Sequence, residues 1–200
     1  APSYIIQRGM VVGQGEFTYE SKAIAKYVLT FNGMTGEATT TSLDDTPDPV
    51  TTNRSMDSAV SVGRIAENGV AVGGPNFVKS AGITINNNLR MLDAIRNDGK
   101  VGAVDVGTGS CDVTISLQTY FGSLDLLTRL FNSAVTNLNL RIAKDNQALI
   151  TAVPRMTMTG GSTNAPGKNQ DSMLPITAKA SKDALTSAHI LMDRLEYFEV

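Results

Sequence analysis

Residues 138–159 read LNLRIAKDNQALITAVPRMTMT, and this stretch decides the class of fold. Apolar and polar residues alternate over 138–142, and residues 148–153 pair back across a turn at Asp145-Asn146. Alternation with period two is typical of a strand with one buried face. The stretch therefore predicts an antiparallel β-hairpin whose second strand continues to Thr159.

The same kind of pattern recurs along most of the chain. Short runs rich in β-branched residues, separated by Gly, Pro, Asn and Asp, predict further strands. We expect these strands near residues 4–8, 17–20, 26–31, 77–89, 101–106, 111–117, 174–180 and 187–198. Gly13-Gln14-Gly15 is expected to separate the first two strands, and Gly107-Thr108-Gly109 to turn a second β-hairpin between 101–106 and 111–117. Residues 90–100 suggest a short helical turn.

One segment has the helical period instead. Ser123 is a suitable N-cap, and Asp125 suits the positive end of a helix. The apolar residues that follow fall on one face: Leu126, Leu127, Leu130, Phe131 and Ala134. We predict a helix over about 123–135 that packs this face on the core.

These elements together predict a mainly β fold. Many short strands, one amphipathic helix and no βαβ alternation favour an antiparallel β-sandwich or barrel with one flanking α-helix. Length favours a single domain over 1–200, because 200 residues suffice for one core. Prolines, glycines and polar residues predict long loops at 44–58 and 160–171.

Composition excludes several classes of protein. There are 17 Lys and Arg against 19 Asp and Glu, for a net charge of −2, so no basic excess favours binding to a phosphate backbone. A single Cys and a single His rule out a disulfide framework and a Cys/His zinc site. No apolar run is long enough to span a membrane, and the start at Ala1 does not resemble a signal peptide. We expect an intracellular, reducing origin.

The chain offers little support for catalysis. His189 is not accompanied by a Gly-x-Ser-x-Gly elbow, so we interpret it as a surface or strand-edge histidine. Cys111 lies beside Asp112, whose charge would suppress a thiolate, and we interpret it as a small buried side chain. The two G-x-G segments lack the third glycine of a dinucleotide motif. We therefore predict that the protein is not an enzyme and that it takes no cofactor.

An acidic loop is the best candidate for a metal site, and it is a poor one. Hard cations take carboxylate oxygens, which the loop offers at Asp44, Asp45 and Asp48. Pro47 and Pro49 interrupt the spacing of a calcium loop. A solvated acidic loop is the better interpretation, and we predict no metal.

Two long stretches of the chain lack basic residues. They lie between Lys26 and Arg54 and between Lys100 and Arg129, and both contain acids and predicted strands. Ordinary solvated strands would explain them. The alternative is a neutral-to-acidic β surface past which a polyanion slides, because a cationic wall would trap a nucleic acid.

The closing third of the chain carries a resemblance to a known family. Residues 156–161 (MTMTGG) and 166–180 (PGKNQDSMLPITAKA) resemble the end of the tail tube, or major tail, proteins of long-tailed, non-contractile bacteriophages. Residues 83–90 (ITINNNLR) and 102–109 (GAVDVGTG) are similar to strands of that family. The resemblance extends over about residues 5–200. Many members have a further stretch before the segment that resembles 4–15, so the domain is expected to be processed, incomplete or short at its N-terminus.

The resemblance implies a structural virion protein. Six subunits would form a ring, a β-hairpin of each would complete an inner barrel, and stacked rings would form the conduit for DNA ejection. We assign the inner wall to the basic-poor stretches, with these lumen-facing residues: Glu37, Thr39, Thr41, Asp105 and Asp112. The two long loops are expected to contact other subunits through Asp44, Asp45, Asp48, Lys168 and Asp171.

The resemblance also implies the partners and the location. The implied partners are further copies of the chain, a tape measure protein and a tail terminator, with DNA passing through without specific binding and no membrane contact. The protein would be assembled in the host bacterial cytoplasm and reside in the virion tail. An alternative is a receptor- or carbohydrate-binding β-sandwich of a tail tip, although the chain has no Trp and only 5 Tyr for stacking on sugars.

Overall fold

The computed structural model describes residues 3–44, 46–50, 55–56, 62–72, 76–95, 102–144, 147–163 and 166–195. Strands account for 57% of these residues and helix for 4%. The pairings between strands are antiparallel. The mainly β fold predicted from the alternating sequence is therefore confirmed.

The elements have the following bounds. In chain order they are β1 (Tyr4–Arg8), β2 (Val11–Glu20), β3 (Lys26–Asn32), β4 (Thr35–Thr39), β5 (Val62–Glu67), β6 (Val70–Ala71), β7 (Val78–Asn86), β8 (Arg90–Leu92), β9 (Asp105–Gly107), β10 (Asp112–Tyr120), α1 (Asp125–Phe131), β11 (Val135–Lys144), β12 (Gln147–Gly161), β13 (Met173–Ala180) and β14 (Leu191–Leu195). The large sheet has the order β3-β2-β7-β10-β13-β12-β11-β5-β6, and β14 pairs with β12. Two further pairs, β1–β4 and β8–β9, form separate two-stranded sheets.

The chain divides into two compact units whose segments interleave. The first comprises 1–15, 28–54 and 86–111, and it contains the β1–β4 and β8–β9 sheets. The second comprises 16–27, 55–85 and 112–200 and contains most of the large sheet and α1. The expectation of a single domain over 1–200 stays a prediction.

The core of the second unit follows from alternation along its strands. Val113 and Ile115 of β10 and Leu174 of β13 are fully buried, while the residues that alternate with them along each strand face solvent. The hairpin predicted from 138–159 is present as β11 and β12. Its turn, Asp145-Asn146, lies outside the described residues.

A β-bulge near the middle of strand β12 changes which of its alternating residues point into the core. The β11–β12 register shifts between Thr136 and Leu138, where one residue of β11, Asn137, opposes two of β12, Pro154 and Arg155. Pro154 lies in this bulge, which is where a strand tolerates a residue without a backbone N–H. As a result, Val153 and Met156 are both buried although they are three residues apart.

The helix is shorter than predicted. It spans Asp125–Phe131, because the chain enters β11 already at Val135. The N-cap position is Leu124, so the prediction of Ser123 as the N-cap was wrong; the Ser123 hydroxyl instead donates to the Asp125 carboxylate at 2.9 Å. Leu126 and Leu130 are buried as expected, but Phe131 is exposed, since it ends the helix on the outer side.

Three local predictions were wrong. Residues 101–117 do not form a hairpin: β9 pairs with β8, whereas β10 pairs with β7 and β13. The three residues of β9 have no buried face, while β10 alternates into the core. The helical turn suggested for 90–100 is replaced at its start by strand β8, and residues 96–100 lie outside the described residues. The glycines 13 and 15 lie inside the continuous strand β2.

Candidate assembly surfaces

Two of the proposed wall residues lie on one face of the β1–β4 ribbon in the first unit. Glu37 is opposite Ile6 and Thr39 is opposite Tyr4, so all four side chains share a face. Arg8 lies on that face as well, and its guanidinium donates to Glu37 Oε1 at 2.5 Å. Both partners of this ion pair are exposed. The basic-poor stretch is thus partly neutralised by a residue from another part of the sequence.

The other proposed wall residues lie outside strands β1 and β4. Thr41 follows β4, and its backbone N–H donates to the Thr39 hydroxyl at 3.1 Å. Asp105 is exposed on β9 in the second ribbon of the same unit, where its carboxylate accepts from the Val106 N–H at 2.8 Å. Asp112 begins β10 in the second unit, and Lys179 of β13 lies 3.0 Å from its carboxylate.

The residues proposed for contacts between subunits are exposed where the structure describes them. Asp44 accepts from the Thr46 N–H at 2.9 Å, which gives its loop a local turn. Asp48, Lys168 and Asp171 are also exposed. Asp45 lies outside the described residues.

Strand β3 is an exposed edge that the sequence analysis did not single out. It ends the large sheet, with β2 on one side and no strand on the other side in the described part of the chain. Apolar side chains are exposed on both of its faces, among them Val28, Leu29 and Phe31. From Tyr27 to Asn32 the strand has no charged residue. Native proteins protect such edges by charge, proline, bulges or pairing, and these residues of β3 include no charge and no proline.

A signal for this edge was present in the sequence. In the run YVLTF at 27–31 only Thr30 is polar, whereas a strand with one solvent-facing side alternates. A run that is apolar on both faces indicates a strand covered on both faces. In the described part of the chain no strand pairs with the outer edge of β3, and Val28, Leu29 and Phe31 stay about half exposed.

The residues considered for catalysis have unremarkable surroundings. Cys111 is exposed just before β10, so the interpretation as a buried side chain was wrong. His189 is half-buried in the segment before β14. Among the residues that the structure describes there is no group of three or more His, Cys, Asp and Glu placed to hold a metal. In the same residues, no helix has the length and apolarity needed to cross a membrane.

Comparison with known proteins gives one match. A family model described as phage tail tube protein matches residues 2–180. No curated protein matches the chain.

Proposed function

The chain belongs to the phage tail tube protein family, and from this premise we propose that its copies form hexameric rings that stack into the tube of a non-contractile tail. Membership makes the protein a structural component of the virion tail that assembles with copies of itself. The proposal adds the number of subunits and the type of tail. It also makes the function architectural rather than enzymatic.

The observation that carries the proposal is the open edge at β3. A strand edge presents unpaired backbone N–H and C=O groups, and apolar side chains on both faces add an unfavourable exposed area. Pairing with a neighbouring copy satisfies the backbone groups and buries Val28, Leu29 and Phe31. A closed ring has no free edge, so closure removes the source of uncontrolled association.

The assembled tube is proposed to conduct DNA. We assign to its wall the face that holds Glu37 and Thr39, together with Thr41, Asp105 and Asp112. Exposed acids repel a polyanion, and hydroxyls carry no charge that would attract it. Such a wall releases no counterions from the DNA, so the DNA passes without being bound. A tape measure protein would occupy the tube before DNA, a tail terminator would cap it, and assembly would take place in the host cytoplasm.

Electron microscopy of the purified protein tests the assembly. We expect negatively stained wild-type protein to show rings or tubes of uniform diameter at high concentration. Leu29→Lys should remain monomeric, because a lysine on an edge strand opposes pairing. Leu124→Lys is the matched control: it changes another exposed leucine, at the N-cap of the helix, and it should assemble.

Two results would contradict the proposal. Wild-type protein that stays monomeric at all concentrations and in virus particles would exclude a tube subunit. Normal tubes from Leu29→Lys would show that β3 is not the pairing edge. Binding of the isolated monomer to a glycan array would favour the tail-tip alternative.

A further inference from the structure

The loop between β13 and β14 presents a leucine to solvent on a fixed backbone. Leu185 is 93% exposed. The Asp183 carboxylate accepts hydrogen bonds from the Leu185 N–H at 3.1 Å, from the Thr186 N–H at 2.8 Å and from the Thr186 hydroxyl at 2.9 Å. The Asp183 N–H donates to the Ala188 carbonyl at 3.1 Å, which closes the loop. An apolar side chain held in this way loses little conformational freedom when it binds.

The same unit contains an apolar socket of suitable size. Its volume is about 500 Å³, within the range of sites that bury small groups. Most of its walls are apolar, including Phe17, Tyr27, Met56, Ile142, Leu149 and Leu195. The Tyr27 hydroxyl pairs with that of Tyr19 at 3.1 Å, and burial raises the pKa of both phenols, so neither introduces a charge.

The loop and the socket lie at opposite ends of one strand segment. At the socket end, Leu195 of β14 is opposite Ala148, and Gln147 lines the cavity. At the loop end, the Ser181 N–H donates to the Arg155 carbonyl at 3.0 Å. Eight residues of β12 separate Gln147 from Arg155, and at about 3.3 Å per residue this is roughly 25 Å. Leu185 is 93% exposed and therefore does not occupy the socket of its own chain.

We propose that the Leu185 loop of one copy inserts into the socket of a second copy. The two surfaces differ and lie at opposite ends of the same strand, so the contact is heterologous and repeats from copy to copy. This inference rests on the proposed function, because a tube subunit meets further copies of itself at high local concentration. Burying an exposed leucine supplies the driving force.

Family membership supports a second copy as the occupant, because a tail tube protein assembles with copies of itself. Charge does not oppose the contact: the loop carries one cation and one anion, Lys182 and Asp183, and the charged residue among the described lining of the socket is Arg194.

Disulfide cross-linking tests the contact directly. Cys111 is exposed and is first changed to serine. In Cys111→Ser, the pair Leu185→Cys and Gln147→Cys should give a ladder of covalent oligomers when assembled protein is oxidised. Each single-cysteine variant is the control and should give no ladder. A bond within one chain would give no ladder, so a ladder reports contacts between copies.

A substitution gives a second, independent measurement. Leu185→Asp should raise the concentration needed for half-maximal assembly at least about tenfold, since a charge would have to enter an apolar cavity. Leu124→Asp, which adds the same charge at another exposed leucine, should assemble like the wild type. Circular dichroism of both variants checks that they fold.

The outcomes separate this inference from the proposed function. Wild-type tubes without a ladder, together with normal assembly of Leu185→Asp, would overturn the docking and leave the tube assignment in place. A ladder from the double-cysteine variant alone would establish the contact. If the wild type forms no assembly at all, both proposals fail.

Discussion

Buried polar side chains hold the single helix in place. Glu67 is 5% exposed, and its carboxylate lies 2.9 Å from Arg129 Nη1 of α1 and accepts the Thr136 hydroxyl of β11. At the start of the helix, buried Asn76 accepts from the Gly122 and Ser123 N–H groups at 2.9 Å. A helix of seven residues has little stability of its own. These contacts, with Leu126 and Leu130 in the core, therefore determine where it lies.

The free energy of unfolding that is lost when an ion pair is removed depends on how deeply the pair is buried. Arg129→Met leaves the Glu67 carboxylate buried without its cation, and we expect a loss of about 2 kcal/mol in the free energy of unfolding, less than for a fully buried pair because Arg129 is partly exposed. Arg8→Met, at the exposed pair with Glu37, should cost under about 1 kcal/mol. Urea denaturation of monomeric protein measures both. Equal losses would show that the burial of Glu67 does not matter.

At the level of elements, loops that look alike in sequence differ in how they are held. The loop 181–190 is ordered by the Asp183 carboxylate, and the hydrogen bonds from the Thr186 N–H and hydroxyl lower the pKa of Asp183. The loop after β4 has a smaller turn, in which the Asp44 carboxylate accepts from the Thr46 N–H and the Asp44 carbonyl accepts from the Ser42 hydroxyl. A single carboxylate with three donors therefore fixes the backbone that presents Leu185.

The loop has a pH dependence with a definite sign. Because folding lowers the pKa of Asp183, its carboxylate stabilises the protein at pH values above its ordinary pKa of about 3.9. This contribution is lost as the pH falls through the lowered pKa. Asp183→Ala should therefore be less stable than the wild type at pH 7 and equal to it in strong acid. Urea denaturation across this range measures the difference.

The matched control removes one exposed carboxylate from another loop. Asp171→Ala makes the same change in net charge without breaking the 183–186 hydrogen bonds. A difference from the wild type that is the same for Asp171→Ala and Asp183→Ala would mean that net charge, not the loop, is responsible.

At the scale of the whole molecule, the chain combines a well-packed sheet with surfaces that its described residues leave open. In the second unit, β10 to β13 bury a continuous core. β3 at the edge of the large sheet and β14 beside β12 are exposed along most of their length. A tube accommodates both, because each copy can cover another. Stability is then expected to rise with protein concentration.

The wall assignment makes a prediction about the assembled tail. Glu37→Lys places a second cation beside Arg8, and Asp105→Lys adds another in the same unit. Tails carrying both changes should assemble normally but deliver DNA poorly, because cations bind the phosphate backbone. Micrographs count the tails, and plaque titre with DNA release measures delivery.

A charge exchange controls for the fold of the ribbon. Arg8→Glu with Glu37→Arg restores an ion pair at unchanged net charge, and it should deliver DNA like the wild type. Full infectivity of the Glu37→Lys, Asp105→Lys tails would contradict the assignment of these residues to the wall.

The amino-acid sequence alone predicts those strands in which one face is apolar and the other polar, and it predicts a pairing where the partner strand is close in the chain. Alternation at 138–142 and 174–180 predicts β11 and β13 because one face of each enters the core, and an adjacent turn brings β11 to β12. The sequence also indicated the family, because the segments 83–90, 102–109, 156–161 and 166–180 resemble strands and turns of tail tube proteins. The run at 27–31 predicted a strand, but its place at the edge of the large sheet came from the structure.

The pairing of segments far apart in the chain became known from the three-dimensional structure. Strand β9 pairs with β8, although the local pattern predicted a hairpin with β10. Arg8 forms an ion pair with Glu37 and Lys179 with Asp112, although the local pattern predicted an acidic wall. Local alternation specifies which face of a strand is buried but not which strand lies beside it. The partner is set by competition for a place in the sheet, and that competition involves the whole chain. The register of β14 on β12 likewise places Leu195, which lines the socket, opposite Ala148.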